Sequence, residues 1–297
     1  MKLKEVLDKT IQFFRDKKIE SPRLEAELLL AHGLKLERIQ LYLKFDQPLA
    51  EEELAHCREL VRRRVQGEPV SYILGYREFF GSSFKVTPAV LIPRPETEQL
   101  VEEALNWAQG QKEKTSPLGL LDLGTGSGCI GLTLLKKLPE AKLIAVDISQ
   151  EALVVAQENA AQLGVGDRVQ FVHADAATAS DVLKAFKSFV GKSTVDIVVA
   201  NPPYIASTDP SVEEGVVKFE PHQALFACDE GLALLKKWSQ TYKNFLSDEG
   251  LMLMEMGYTQ GEAMKKYFQG LEVFQEISVI KDLSGHDRII RGVKKHG

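Results

Sequence analysis

The chain has 297 residues, 44% hydrophobic and 27% charged, with a formal net charge of −5 and a pI near 5.8. No apolar run approaches the ~20 residues of a membrane span, and the acidic balance argues against a broad basic face for bare nucleic acid. Cys57, Cys129 and Cys228 are odd in number and widely spaced, which suggests neither a disulfide framework nor a metal site and fits a reducing cytosol.

The N-terminus alternates charged and apolar residues, without the apolar core of a signal peptide. Leu3, Val6, Leu7, Ile11 and Phe14 recur at helical spacing. Ser21-Pro22 reads as an N-cap and first-turn proline for a helix through Leu24, Leu28 and Leu29 to Gly33. A third helix is predicted from Glu51 to Val65, stopping at Gly67 with Pro69 beyond. Residues 1–76 are therefore expected to form a helical bundle. Its basic stretch, Arg58 to Gln66, reads as a solvated helix face. "EFFGSSFKV" and "AVLIP" then predict two short strands with a turn at Gly81-Ser82-Ser83, making residues 77–95 a β-hairpin linker.

From residue 96 to 297 the pattern predicts a second domain. A helix runs from Glu96 to Ala108 and a polar loop from Gly110 to Pro117. Strands "LGLLDLG", "AKLIAVD", "RVQFVHAD" and "VDIVVA" alternate with helices "CIGLTLLKKL", "QEALVVAQENAAQL" and one near Val182–Phe189. Such alternation implies a parallel sheet covered on both faces. "GLMLMEM", the helix "GEAMKKYF", and two strands joined around Leu283-Ser284-Gly285 follow; so short a loop makes the last pair antiparallel.

Three strand ends carry chemistry. Gly124-Thr125-Gly126-Ser127-Gly128 leaves one strand and opens a helix, where glycines let the backbone approach a ligand. The dinucleotide pattern needs a third glycine where Cys129 stands, which weakens a nicotinamide reading. The form D-x-G-x-G-x-G instead resembles the first motif of S-adenosylmethionine-dependent methyltransferases. Asp147 ends the next strand, where a carboxylate accepts from both ribose hydroxyls; Asp175 ends the third, near an adenine position. "NPPY", Asn201-Pro202-Pro203-Tyr204, ends the fourth and resembles the motif of methyltransferases acting on a nitrogen conjugated to a planar π system. The Asn201 side-chain oxygen and the Pro202 carbonyl are expected to hold the two N–H groups, with the Tyr204 ring packed on the flat acceptor. Methyl transfer is an in-line displacement, so alignment is the main catalytic lever.

"LIPRPETEQLVEEAL", "NPPYI", "FEPHQALFACDEGL" and "KDLSGHDRII" together are similar to the release factor glutamine methyltransferase family over essentially the whole chain. The resemblance implies an α/β fold: a Rossmann-like seven-stranded methyltransferase sheet, mostly parallel with an antiparallel C-terminal hairpin, behind a small helical N-terminal domain for substrate recognition. It implies methylation of the glutamine side-chain nitrogen in the Gly-Gly-Gln loop of class 1 peptide-chain release factors. Gly124 to Gly128, Asp147, Asp175, Ala176 and Asn201 are then expected to line the cofactor, and Asn201 to Tyr204 with Arg94 the substrate. Glu96 reads equally as a mouth residue or a first-turn charge. A cytoplasmic monomer without metal, membrane or direct nucleic-acid contact is expected. The rivals are a glutamine methyltransferase of a ribosomal protein and an adenine or guanine N-methyltransferase.

Overall fold

The apolar spacing of the first 76 residues closes into helices α1 (Leu3–Asp16), α2 (Pro22–Gly33), α3 (Arg38–Leu43), α4 (Glu51–Val65) and α5 (Val70–Leu74). Leu3, Leu7 and Phe14 of α1 share one core with Leu29 and Leu30 of α2 and Leu54 and Leu60 of α4. Ser21 stands at the N-cap of α2, but its side chain makes no capping hydrogen bond; Pro22 alone sets the start. Helices α3 and α5 span six and five residues, too short for a periodic signal. The computed structural model describes residues 1–111, 116–206 and 214–296.

A second compact unit begins at Arg77. Strand β2 (Ser82–Lys85) and the last two residues of β1 (Tyr76–Phe79) lie within the first of the two predicted runs, which starts at Glu78. Phe80 and Gly81 join them with φ of 49° and 68°, the paired positive values of a tight hairpin turn. "AVLIP" is not a strand. Prolines flank it, and the Ile92 N–H donates to Glu220 Oε2 at 3.1 Å instead of to a ladder. Residues 77–95, expected as a linker, thus cluster with the second unit.

The chain continues through α6 (Glu98–Gly110), β3 (Gly119–Leu123), α7 (Cys129–Lys137), β4 (Lys142–Asp147), α8 (Gln150–Leu163), β5 (Val169–His173), α9 (Ala179–Val190) and β6 (Val195–Ala200). The polar loop expected before β3 lies partly outside the described residues. After β6 come β7 (Ile205–Ala206), α10 (Glu214–Phe219), β8 (Phe226–Ala227), α11 (Ala233–Tyr242), β9 (Leu246–Glu255), α12 (Gly261–Gly270), β10 (Phe274–Lys281) and β11 (Asp287–Lys294). Helix α10 belongs to the helical unit, while Glu220 onward returns to the second.

Seven strands form one sheet in the order β10-β11-β9-β6-β3-β4-β5. Strand β11 is antiparallel to both neighbours; the pairs among β9, β6, β3, β4 and β5 are parallel. Alternating residues fill the two faces. Leu120, Leu143, Ile197, Val199 and Leu253 join one core, and Leu121, Ile144, Val198, Met252 and Met254 the other. Burial on both faces explains the continuous apolar runs of these strands. From β3 the chain winds outward through β4 and β5, then crosses back to β6 on the other side. The loops after β3 and β6 diverge there, leaving the crevice where open α/β sheets bind ligands.

Candidate functional site

A cavity of about 330 Å³ opens at the carboxyl ends of β3, β4, β5 and β6, within the ~300–1,000 Å³ usual for small-molecule sites. Gly124, Thr125, Gly126 and Ser127 line it, as do Asp147, Asp175, Ala176, Asn201, Pro203 and Arg94. Gly128, Pro202 and Tyr204 are not among its lining residues. Gly128 turns the chain into α7 at φ 80°, and a Cβ there would lie 2.6 Å from Leu132 Cδ1, so its lack of a side chain serves packing. Pro202 is buried. The Tyr204 ring, expected against the acceptor, packs with the core beneath the sheet edge, and its hydroxyl donates to Glu255 Oε1 at 3.0 Å. Glu96 is exposed in the turn before α6.

The glycine loop is fixed from three sides. Thr125 N–H donates to Val146 O at 2.9 Å, and Gly126 N–H to Asp147 Oδ2 at 2.8 Å. Buried Asn159 donates to Ser127 O at 2.8 Å and also holds both backbone groups of Lys85, stapling β2 to the loop. Beneath the loop, fully buried Asp122 accepts from the Thr125 hydroxyl at 2.7 Å and Gly131 N–H at 3.1 Å through Oδ2, while Oδ1 has no partner. Burial pushes this carboxyl up to about 6, against the pull of those two donors.

Asp147 takes Gly126 N–H on one oxygen and Ser149 N–H on the other. Burial raises its pKa, and these backbone donors oppose the rise. Each oxygen keeps acceptor capacity for a further hydroxyl. Asp175 is exposed and turns the chain by accepting Ala177 N–H at 2.8 Å; Ala176 beside it is buried. Arg94 is held at the cavity by Glu220, whose Oε1 accepts from its guanidinium at 2.7 Å.

Asn201 donates through Nδ2 to Thr97 Oγ1 at 3.3 Å, and Thr97 donates to Glu255 Oε2 at 2.6 Å. Burial drives the Glu255 pKa up; the Thr97 and Tyr204 hydroxyls and nearby Arg288 pull it down. Gln260 holds the far end of the NPPY stretch, its Nε2 donating to Tyr204 O at 2.9 Å. Thr97, Glu255, Gln260 and Trp238, which also lines the cavity, are absent from the motif-based reading. A lone acid in "GLMLMEM" was the visible signal for Glu255.

Two family models match the chain: the PrmC N-terminal domain over residues 5–75 and a methyltransferase domain over residues 114–278. The release factor glutamine methyltransferase of Chlorobaculum tepidum is 42% identical over 96% of this chain and 94% of its own length. This chain belongs to that family. Its counterpart in Koribacter versatilis is 38% identical over 99% of both chains. Among solved structures, the catalytic domain of hMettl16 in complex with an RNA hairpin aligns with a TM-score of 0.55 at 16% identity, covering 80% of this chain and 82% of that one. That likeness shows the methyltransferase fold.

S-adenosylmethionine is the methyl donor of such a domain, and the residues present fit it. Gly126 lines the cavity with nothing within 4 Å of where its Cβ would stand, so backbone is bared to a ligand. Asp147 offers lone pairs suited to a ribose diol, with Ala176 and Asp175 placed beyond it along the sheet edge. Among the described residues no helix is long and apolar enough to cross a membrane, and no cluster of side chains could hold a metal ion.

Proposed function

We propose that this protein methylates the side-chain amide nitrogen of the glutamine in the Gly-Gly-Gln loop of class 1 release factors. One observation carries the reading: Asn201 and Pro203 line the same cavity as the Gly124–Ser127 loop and Asp147. An amide nitrogen is a poor nucleophile because its lone pair is delocalised. When bound, S-adenosylmethionine supplies an electrophilic methyl group on a sulfonium. Asn201 Oδ1 accepts one N–H of the glutamine amide and the Pro202 carbonyl accepts the other, which aims the nitrogen along the line of displacement. The amide nitrogen would take that methyl as the sulfonium left as a neutral thioether, and the surplus proton would pass to water. Gly124, Thr125, Gly126, Ser127, Asp147, Asp175 and Ala176, which line the cavity, would hold the donor, with Arg94 at the substrate side.

The helical unit serves recognition. A single glutamine offers few groups for discrimination, so affinity for one protein must come from surfaces remote from the chemistry. Within that unit a groove floored by Val6, Phe13, Leu54 and Val61 and edged by Lys9, Arg58 and Arg62 supports this assignment. The basic stretch read as a merely solvated face supplies that edge. We assign the enzyme to the cytoplasm as a monomer acting on protein, without nucleic acid; its unpaired thiols, Cys57, Cys129 and Cys228, are in keeping with a reducing compartment.

The test offers methyl-labelled S-adenosylmethionine with purified release factors, ribosomal subunits, DNA and tRNA, and maps the label by mass. Label on the Gly-Gly-Gln glutamine, abolished by its replacement with alanine, is the expected result. Labelling of a ribosomal protein or a base instead would transfer the assignment to that substrate.

A further inference from the structure

Glu255 ends β9 with 1% of its surface exposed, behind an apolar run from Leu251 to Met254. A carboxylate buried so far is costly unless its lone pairs are engaged. Here each oxygen takes a hydroxyl from a different part of the chain: Oε2 from Thr97 and Oε1 from Tyr204. A threonine hydroxyl has one proton. With that proton committed to Glu255, only lone pairs of Thr97 Oγ1 face Asn201, and they receive Nδ2. Turning the amide over would set Oδ1 against Oγ1, two acceptors with no proton between them. The amide therefore has one favoured orientation, with Oδ1 as the end left for the cavity.

We propose that Glu255 and Thr97 are positioning residues that set the polarity of the Asn201 amide, so that an acceptor meets the substrate nitrogen. The inference rests on the reading of Asn201 as the group that receives a substrate N–H. Glu255 also holds Tyr204, so one carboxylate on β9 anchors both ends of the Asn201–Tyr204 stretch that follows the neighbouring strand β6. Neither residue touches the reacting atoms; both act through Asn201.

The experiment compares Thr97→Val, Thr97→Ser, Glu255→Gln and Asn201→Ala in the full chain. It measures kcat and KM on an intact release factor, S-adenosylhomocysteine affinity by calorimetry, and thermal melting. Valine keeps the shape of threonine but removes the hydroxyl. Thr97→Val is expected to lose kcat by about 10- to 100-fold through misalignment, with S-adenosylhomocysteine affinity unchanged, and Thr97→Ser to recover most of the loss. Glu255→Gln, with one acceptor for two hydroxyls, is also expected to lower kcat. Wild-type kcat in Thr97→Val would overturn the proposal. So would equal losses in the Val and Ser variants, which would make the methyl group's packing the cause, or a parallel loss of S-adenosylhomocysteine affinity. Should Thr97→Val not fold, Thr97→Ala is read by the same criteria. Asn201→Ala separates the two levels: if it keeps wild-type turnover, the role of Asn201 falls, whereas if it is inactive while Thr97→Val is not, only the relay falls.

Discussion

Asp122 is a carboxylate whose ionisation the fold opposes, and replacing it with asparagine isolates that opposition. Oδ2 has two donors, but Oδ1 has none, in a side chain with no exposed surface. Its carboxyl is displaced from an ordinary 3.8 to about 6, which corresponds to about 3 kcal/mol. The sign follows from proton binding. Between those two values the folded state keeps the proton while the unfolded state loses it, so stability falls as pH rises. Linkage puts roughly 1 kcal/mol of that fall between pH 5 and pH 8. An asparagine in its place would still accept from Thr125 and Gly131 but would not titrate. Urea unfolding of cofactor-free wild type and Asp122→Asn at both pH values cancels the titrating groups that do not interact with Asp122. The variant is expected to gain roughly 1 kcal/mol on the wild type between pH 5 and pH 8. A constant difference across that range would refute the claim that burial holds this carboxyl up.

Asp147→Ala should weaken S-adenosylhomocysteine binding by about 1.5–3 kcal/mol for each hydrogen bond lost to the carboxylate; unchanged affinity in calorimetry would remove Asp147 from the site. Gly231 has φ 84°, and a Cβ there would fall 2.0 Å from Tyr204 O and 2.5 Å from Gln260 Nε2. Gly231→Ala should therefore destabilise by about 2–5 kcal/mol, with turnover falling as the NPPY stretch shifts; a wild-type melting curve would contradict this. Reversing the groove charges with Arg58→Glu and Arg62→Glu should raise KM on an intact release factor and leave a short Gly-Gly-Gln peptide unaffected. Equal changes on both substrates would count against recognition by the helical unit.

Strands β3, β4 and β6 beneath the site were legible because each is buried on both faces, and a short apolar run has few other readings, whereas half-buried β5 showed by its place in the strand–helix alternation. The glycine loop, Asp147 and Asn201 were legible for a related reason, since each stands where such a run stops. "AVLIP" misled by the same logic. Its residues have strand propensity, but a strand also needs a partner, and Glu220 takes the Ile92 N–H from 128 residues away. Helix α11 escaped notice because its buried stripe of Leu235, Trp238, Ser239 and Tyr242 includes a serine. Glu255 was visible as an oddity, yet its partners Thr97 and Tyr204 lie 158 and 51 residues distant. The Tyr204 ring is expected on the acceptor from a contiguous motif, while the bond from its hydroxyl to Glu255 on a neighbouring strand is invisible to local pattern. Local pattern located the site; which atoms orient one another within it is a property of the tertiary fold.

The return of α10 to the helical unit bears on how the chain is made. A ribosome delivers the first 76 residues early, but the last helix of that unit ends at Phe219, about 140 residues later. At ~5–20 residues per second this is a wait of roughly 7–30 s. During that interval the strands β3 to β6 are synthesised, before the last segment of the bundle that precedes them. The unit first in sequence is thus not complete until three quarters of the chain has been made, and a stalled or truncated product ending before Phe219 would carry both units unfinished.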